Sequence, residues 1–182
     1  MTTFTYFAYG SNMLAERLRG RCKSAVPIGT ARLPDYALEF SKRSIDKSGK
    51  ATLVRAVGEA VHGVIFTLSI DECDLLDQAE GVGSGYDRLD RVEVTLMPSD
   101  EPVPASSYIA AEGATDSSLV PYDWYHALVM AGAIQHRLPA SYIQRLARVE
   151  FSPDTNLTRK SRLEALRVLD AAGYAHRLDH PA

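Results

Sequence analysis

Apolar positions in the first part of the chain follow the alternation and the continuous runs that are typical of strands. Residues 5–9 are rich in β-branched and aromatic side chains, and residues 91–96 alternate between apolar and polar positions. Residues 60–68 are almost continuously apolar, which predicts a strand buried on both faces. Residues 51–54 are a further strand candidate, and residues 106–110 are a weaker one.

From Pro121 onward the hydrophobic period becomes that of a helix. Asp123 is placed to cap one helix, a shorter helix is predicted after Pro139, and a last helix is predicted to end near Gly173. The apolar stripes of the three helices are Tyr125, Leu128, Val129 and Gly132, then Ile143, Leu146 and Ala147, then Leu163, Leu166 and Leu169. Strands that come mostly first and helices that come mostly last predict an α+β fold rather than a doubly wound parallel sheet.

The first strand continues directly into the sequence Tyr9-Gly10-Ser11-Asn12. Asn12 is expected to cap a helix that begins at the next residue, because its side-chain oxygen accepts an unpaired backbone N–H. Successive N–H groups beside a helix N-terminus favour an anion, and Gly10 lets a ligand approach the main chain closely. This loop is therefore a candidate binding site, and an ordinary strand-to-helix turn is the alternative interpretation.

A second predicted helix ends at another candidate residue. Ser69 and Glu72 have the spacing of a capping box, and Gly81 is expected to end the helix because glycine readily adopts the left-handed conformation. Glu80 then lies on the last turn. The partial negative charge of a helix C-terminus favours the protonated form of a carboxylate, which suits a general base near neutral pH. Glu80 is thus a candidate acid–base group, and a solvated side chain is the alternative.

Residues 41–50 are polar and basic, and they contain Lys42, Arg43, Lys47 and Lys50. This composition predicts an exposed, solvated loop. A phosphate-binding loop is the alternative interpretation of the same charges.

Composition limits the possible classes of protein. The 182 residues predict one domain, since ~150 residues per domain is usual, and 46% hydrophobic with 24% charged residues is ordinary for a globular chain. A net charge of -3 does not favour nucleic-acid binding. We expect no membrane span and no signal peptide. Cys22 and Cys73 form neither a disulfide framework nor a zinc cluster, so reduced thiols and a cytoplasmic location are expected.

Common catalytic motifs are absent from the sequence. There is no P-loop and no nucleophile elbow, and the glycine-rich residues 81–85 follow a helix, which is the wrong context for a dinucleotide. The nearest approach to a set of metal ligands is His176, Asp179 and His180 near the end of the chain. Their spacing does not indicate a metal site.

Several segments together resemble the γ-glutamylcyclotransferase family, which includes the γ-glutamylamine cyclotransferases and the AIG2-like proteins. The segments are residues 6–13, 76–81, 85–88, 125–133 and 138–142, which contain Tyr-Gly-Ser-Asn, Leu-Asp-Gln-Ala-Glu-Gly and Gly-Tyr-Asp-Arg. Their order and spacing extend over roughly four-fifths of the chain.

The resemblance implies a small mixed β-barrel flanked by helices, with a pocket at one rim. Residues 1–150 would form this domain, and residues 151–182 would be a C-terminal helical extension packed on it. The implied reaction converts a small γ-glutamyl compound into 5-oxoproline and a free amine or amino acid, without a metal or other cofactor. The implied site residues are Glu80 as the catalytic group, Tyr9, Gly10, Ser11 and Asn12 around the γ-glutamyl moiety, and Tyr86 and Tyr125 at the pocket wall.

The resemblance leaves several alternatives open. The substrate is a γ-glutamyl amino acid or a γ-glutamylamine, or the enzyme removes a γ-glutamyl protecting group in a biosynthetic pathway. Asn12 disfavours the glutathione-specific branch, which typically has leucine there. A non-catalytic ligand-binding or stress-response module is the other class, and Tyr125 is equally well interpreted as a core residue. Residues 41–50 and 97–120 are the candidates for the outer pocket wall, and the protein is a monomer or a homodimer.

Overall fold

Five strands close into a mixed barrel in the computed structural model, which describes residues 2–175. The order around the barrel is β1-β3-β2-β4-β5, and a parallel bridge from Tyr6 to Ser106 closes it, whereas the other pairs are antiparallel. The strands are β1 (Thr3–Ala8), β2 (Val26–Arg43), β3 (Gly49–Ser69), β4 (Tyr86–Met97) and β5 (Pro102–Ala110). This architecture confirms the expected α+β fold with a small mixed barrel.

The long β2–β3 hairpin corrects two expectations. Residues 51–54 and 60–68 belong to one strand, and the polar gap between them is a bulge at which Gly58 has a φ of +86° and donates its N–H to Asp35. Half of the predicted exposed loop 41–50 is strand, because β2 continues to Arg43 and β3 begins at Gly49, which leaves residues 44–48 as the turn. The bulge bends the hairpin, so that its far end lies beside the barrel rim.

Five α-helices flank the barrel in the described residues 2–175: α1 (Ala15–Arg21), α2 (Cys73–Glu80), α3 (Asp123–Gln135), α4 (Ala140–Ala147) and α5 (Lys160–Ala171). Helix α3 already includes Asp123, so the predicted cap at this residue is wrong: Tyr122 is the N-cap, and no side chain caps the helix. The helix is buried on every side from Trp124 to Ala133 rather than along one stripe. A helix that is apolar all round belongs inside a protein. In α4 the predicted Leu146 is buried, together with Tyr142.

The capping box predicted for α2 does not form. The Ser69 and Glu72 side chains make no capping hydrogen bond, and a short 3-10 turn (Ile70–Glu72) precedes the helix. The Glu72 carboxylate instead accepts the backbone N–H of Lys23 at 2.9 Å and the hydroxyl of Ser24. A tertiary contact to the α1–β2 loop therefore replaces the local cap.

Helix α5 buries the predicted Leu169 and half-buries the predicted Leu166, but its buried face is shifted from the predicted stripe. Ala165 and Leu169 are buried, whereas Leu163 is exposed, because the buried positions follow the i, i+4 spacing from residue 165.

The segment before α5 is fixed by Asp154, whose buried carboxylate accepts hydrogen bonds from Trp124 Nε1 at 2.9 Å and from Arg159 Nε at 2.6 Å. His176, Asp179 and His180 lie outside the described residues.

Within residues 2–175, none of the helices has the length and apolar content that a membrane span requires.

Candidate active site

A pocket of about 300 Å³, including the open space at its mouth, lies at one rim of the barrel. All seven residues singled out from the sequence line it. The lining residues are Tyr9, Gly10, Ser11, Asn12, Glu80, Tyr86 and Tyr125, together with Tyr6, Ala51 and Tyr108. Residues far apart in the sequence thus meet because β1, β3, β4, β5, α2 and α3 all end at or pass this rim.

Glu80 is held at the pocket by the end of α2. It is the last residue of that helix, and Gly81 ends the helix with a φ of 71° in the left-handed region, as predicted. Its Oε1 atom lies 2.5 Å from Arg21 Nη1 and accepts a hydrogen bond from Asn12 Nδ2 at 2.7 Å. The Glu80 side chain is 15% exposed. The Arg21 guanidinium and the Asn12 amide therefore fix the position of this carboxylate oxygen at the pocket.

Asn12 has a different role from the predicted helix cap. The helix α1 begins after Leu14, and no side chain caps it. The Asn12 amide donates to Glu80 and to the hydroxyl of Tyr6 at 3.1 Å, and its oxygen accepts from Arg21 at 2.9 Å. With 3% of its surface exposed, Asn12 connects the loop to the candidate acid–base group. The prediction failed because buried partners outweigh a local cap.

The loop itself turns sharply at its glycine. Residues 11–13 form a 3-10 turn in which Met13 donates its N–H to the carbonyl of Gly10 at 3.0 Å. A β-carbon at residue 10 would lie 3.0 Å from Ala51 Cβ and 3.4 Å from the Tyr125 hydroxyl. Glycine therefore leaves space between the loop and the opposite wall of the pocket.

Tyrosines form most of the remaining wall, and three of their hydroxyls have backbone partners. Tyr9 donates to the carbonyl of Tyr108 at 2.5 Å, and Tyr86 donates to the carbonyl of Ala51 at 2.6 Å. The Tyr125 hydroxyl accepts the N–H of Ala51 at 3.2 Å. Tyr125 is thus a buried residue with a satisfied hydroxyl and also part of the pocket wall, so the two interpretations of it are compatible.

These phenols stay protonated at neutral pH. Burial raises the pKa of Tyr6, Tyr9, Tyr86 and Tyr125, and the negative charge of Glu80 adds to the effect. Glu80 is therefore the group in the pocket that is suited to accept a proton, whereas the tyrosines are donors or walls.

Basic residues that the sequence did not single out adjoin Glu80. A second cavity of about 470 Å³, including its open mouth, shares Ser11, Glu80, Tyr86 and Tyr125 with the rim pocket. We call this second cavity the cationic annex, because its other polar lining includes Arg17, Arg21, Lys42 and Lys50. A signal existed for the two arginines, since residues 17 and 21 fall on one face of a helix. The lysines come from 41–50, which was a predicted wall segment.

Arg88 of the Tyr-x-Arg segment does not line the pocket. Its guanidinium bonds Asp77 at 2.8 Å, and Asp77 in turn accepts the Tyr108 hydroxyl at 2.6 Å. Arg88 therefore supports the pocket wall from behind rather than facing the cavity.

Gly132 allows α3 to pack against the pocket loop, and we predict that Gly132→Ala lowers the free energy of unfolding by about 1–3 kcal/mol. A β-carbon there would lie 2.6 Å from the backbone nitrogen of Leu14 and 2.6 Å from Met13 Cβ. Urea unfolding measures the change. Gly20→Ala is the matched control, because a β-carbon at residue 20 in α1 meets nothing within 4 Å. Equal stability of Gly132→Ala and wild type would contradict this packing.

No group of three or more His, Cys, Asp and Glu side chains suited to a metal ion occurs among residues 2–175. The fold and the site together define a small barrel protein with a rim pocket for a small molecule and one carboxylate placed among donors.

Comparisons with known proteins identify the class further. The AIG2-like family matches residues 60–146. The γ-glutamylcyclotransferases of Mus musculus and Homo sapiens are each 33% identical to this chain over 153 residues, which is 81% of this chain and 79% of theirs. A solved γ-glutamyl cyclotransferase structure superposes with a TM-score of 0.80 at 30% identity, covering 90% of this chain and 97% of that one. The chain therefore belongs to the γ-glutamylcyclotransferase family, which confirms the resemblance noted from the sequence.

Proposed function

We propose that the protein is a γ-glutamylcyclotransferase in which Glu80 is the general acid and base. The observation that carries this proposal is the placement of Glu80 in the rim pocket, where Asn12 and Arg21 hold its Oε1 atom at 2.7 and 2.5 Å. The family membership supplies the reaction class. The substrate is a small γ-glutamyl compound, and the products are 5-oxoproline and an amine or amino acid.

The reaction removes two protons from the α-nitrogen and delivers two to the leaving nitrogen, and one carboxylate is sufficient for these transfers. Glu80 takes a proton from the α-ammonium of the substrate, and the resulting amine attacks the γ-carbonyl. The new C–N bond closes a five-membered lactam, and the bond to the leaving nitrogen breaks. Two protons leave the α-nitrogen and two reach the leaving nitrogen, which departs as an ammonium at neutral pH. Glu80 ends in its starting form.

The pocket contributes by folding the substrate toward the ring. Because nucleophile and electrophile belong to one molecule, correct orientation lowers the barrier by up to ~7–11 kcal/mol in the best-aligned cases. In this proposal Tyr9, Gly10, Ser11 and Asn12 hold the γ-glutamyl moiety, and Tyr86 and Tyr125 bound it. The N–H groups of the loop would donate to the oxyanion of the tetrahedral intermediate or to the α-carboxylate.

The product identity tests the proposed reaction. Ring closure gives 5-oxoproline, whereas ordinary hydrolysis of the same bond gives glutamate, and NMR distinguishes the two. An N-acetylated γ-glutamyl compound lacks the free α-amine and should be inert. Release of glutamate, or equal turnover of the acetylated compound, would contradict intramolecular cyclisation.

A non-catalytic binding module is the competing function. It would bind γ-glutamyl compounds without releasing 5-oxoproline. The retained carboxylate at residue 80, in contact with the pocket loop, favours the enzyme.

We expect the activity to be independent of metal ions, because Glu80 alone performs the proton transfers in this mechanism. Incubation with a chelator followed by a 5-oxoproline assay is the measurement, and the rate should be unchanged. Inactivation that is reversed by adding zinc or another divalent ion would contradict the mechanism.

The proposal places the enzyme in the cytoplasm. Cys22 and Cys73 are both free thiols, which fits a reducing compartment. Burial raises the pKa of Cys22 to about 11, so this thiol stays protonated.

A further inference from the structure

The cationic annex adjoins the rim pocket at Glu80, the residue proposed to protonate the leaving group. In the tetrahedral intermediate the α-nitrogen and the leaving nitrogen are bonded to the same carbon, so the group that moves protons between them lies beside the departing group. Glu80 is common to the rim pocket and the annex. If the γ-glutamyl moiety occupies the rim pocket, the leaving group extends into the annex.

The annex carries an excess of positive charge. Arg21 is paired with Glu80 at 2.5 Å, and Lys50 is paired with Asp46 at 2.9 Å. Arg17 and Lys42 have no carboxylate partner within salt-bridge distance in the described part of the chain. Among residues 2–175, the Arg17 side chain donates a hydrogen bond only to the hydroxyl of Ser11, at 3.0 Å. Two cations without a salt-bridge partner therefore line the same cavity, and the carboxylates of Glu80, Asp46 and Glu164 act on them only from a longer distance.

The ammonium groups are held in place at the cavity wall. Lys42 Nζ lies 4.7 Å from the centre of the Tyr86 ring. A β-carbon at Gly85 would lie 2.7 Å from that nitrogen, so the missing side chain at residue 85 leaves room for it. Lys50 Nζ lies 4.6 Å from the centre of the Trp124 ring and 4.8 Å from that of Tyr125. Such cation–π contacts fix the charges without neutralising them.

Burial makes these charges costly in the absence of an anion. Burial and the neighbouring Arg21 lower the pKa of Arg17 to about 10, and burial also lowers the pKa of Lys42 and Lys50. An incoming anion would relieve this cost, whereas a second cation would increase it.

We propose that the cationic annex is the leaving-group subsite, that Arg17 and Lys42 bind carboxylates there, and that the enzyme prefers γ-glutamyl compounds whose leaving group is an acidic amino acid. This inference rests on the proposed function and names its substrate class. An acidic amino acid brings two carboxylates to the two unpaired cations. A diamine leaving group brings an ammonium and meets repulsion.

Matched substrates test the preference without any variant. γ-Glutamyl-aspartate and γ-glutamyl-asparagine have nearly the same shape and differ by one negative charge. We expect kcat/KM for the aspartate compound to be at least ~10-fold higher, as for one charge-assisted hydrogen bond, and to fall toward the asparagine value as salt is raised. The γ-glutamyl derivative of 1,4-diaminobutane should be the poorest of the three.

The Lys42→Met variant tests whether the preference for the aspartate compound arises in the cationic annex. The variant should reduce the ratio of kcat/KM values for aspartate over asparagine to about 3-fold or less, through KM more than kcat, since one charge-assisted contact is lost. Lys47→Met is the matched control, because Lys47 is exposed in the same hairpin turn and does not line either cavity. Lys42→Arg should restore the ratio, which a merely structural role of Lys42 would not require.

Four results would overturn the inference. Equal kcat/KM for the aspartate and asparagine compounds would do so, as would an unchanged ratio in Lys42→Met or a preference for the diamine compound. Absence of 5-oxoproline from these three compounds alone, with turnover of other γ-glutamyl compounds, would refute the inference and leave the proposed function standing. Absence of 5-oxoproline from every γ-glutamyl compound tested, with folded protein, would refute the proposed function. The wild-type panel decides the preference even if Lys42→Met does not fold.

Discussion

Glu80→Gln is expected to lower kcat for 5-oxoproline release by at least ~10²-fold, the low end for the loss of a general acid–base group. Glutamine has nearly the same size and its oxygen still accepts the hydrogen bond that Asn12 donates. It cannot take a proton from the α-ammonium or return one to the leaving nitrogen. Initial rates measured by NMR on wild type and variant give the ratio.

Two controls separate chemistry from structure in this experiment. Asp74→Asn makes the same acid-to-amide change at an exposed position of α2 and should keep the wild-type rate. Binding of a γ-glutamyl compound to Glu80→Gln, measured by calorimetry, should persist because the loop that we propose holds the substrate is unchanged. A variant that turns over at nearly the wild-type rate would remove Glu80 as the acid–base group.

Asp154→Ala is expected to lower the free energy of unfolding by about 3–5 kcal/mol, the usual cost of removing one partner of a buried ion pair. The carboxylate is 4% exposed and accepts hydrogen bonds from the Trp124 indole and the Arg159 guanidinium. Its removal leaves a buried donor unpaired and frees the segment that joins α4 to α5. Urea unfolding followed by tryptophan fluorescence measures the loss.

An exposed ion pair provides the control for this prediction. Glu59 pairs with Arg145 at 2.9 Å with both side chains about half exposed, so Glu59→Ala should cost at most ~1 kcal/mol. Similar effects of Asp154→Ala and Glu59→Ala would contradict the structural role of the buried carboxylate.

The Asp154 carboxylate makes the stability of the fold decrease at acidic pH. Burial alone would raise the pKa of Asp154, but the hydrogen bonds from Arg159 and Trp124 outweigh it and lower that pKa in the folded state. The stabilisation is therefore complete above the unfolded-state pKa, ~3.9, and is lost as the pH falls through the lower folded-state value. The stability difference between wild type and Asp154→Ala should shrink below pH ~4.

Features with a local signature were predictable from the sequence. The alternating and apolar runs gave the positions of most strands, and the glycine at residue 81 gave the end of α2 and hence the placement of Glu80. The loop at residues 9–12 was found because a strand that stops at glycine before a helix is a short, recognisable pattern. The grouping of these residues in one pocket followed from the family resemblance, not from the pattern itself.

Features that depend on tertiary partners were not predictable. Asn12 has the chemistry of a helix cap, but in the folded chain its amide group hydrogen-bonds Glu80 and its oxygen accepts from Arg21. Neither atom is then available to cap a helix. The basic residues 41–50 suggest a solvated loop, because nothing local shows that the hairpin bends back toward Glu80. Lys42 is hence a cavity residue, whereas Lys47 in the same run is exposed.

Release of 5-oxoproline is the most direct test of the central claim. Purified protein would be incubated with γ-glutamyl amino acids, γ-glutamylamines and glutathione, with Glu80→Gln beside it, and the products would be followed by NMR. The mechanism predicts equimolar 5-oxoproline and free amine from at least one class, and none above background from the variant. Absence of 5-oxoproline from every compound with folded wild-type protein, or equal release of 5-oxoproline by Glu80→Gln, would contradict the mechanism.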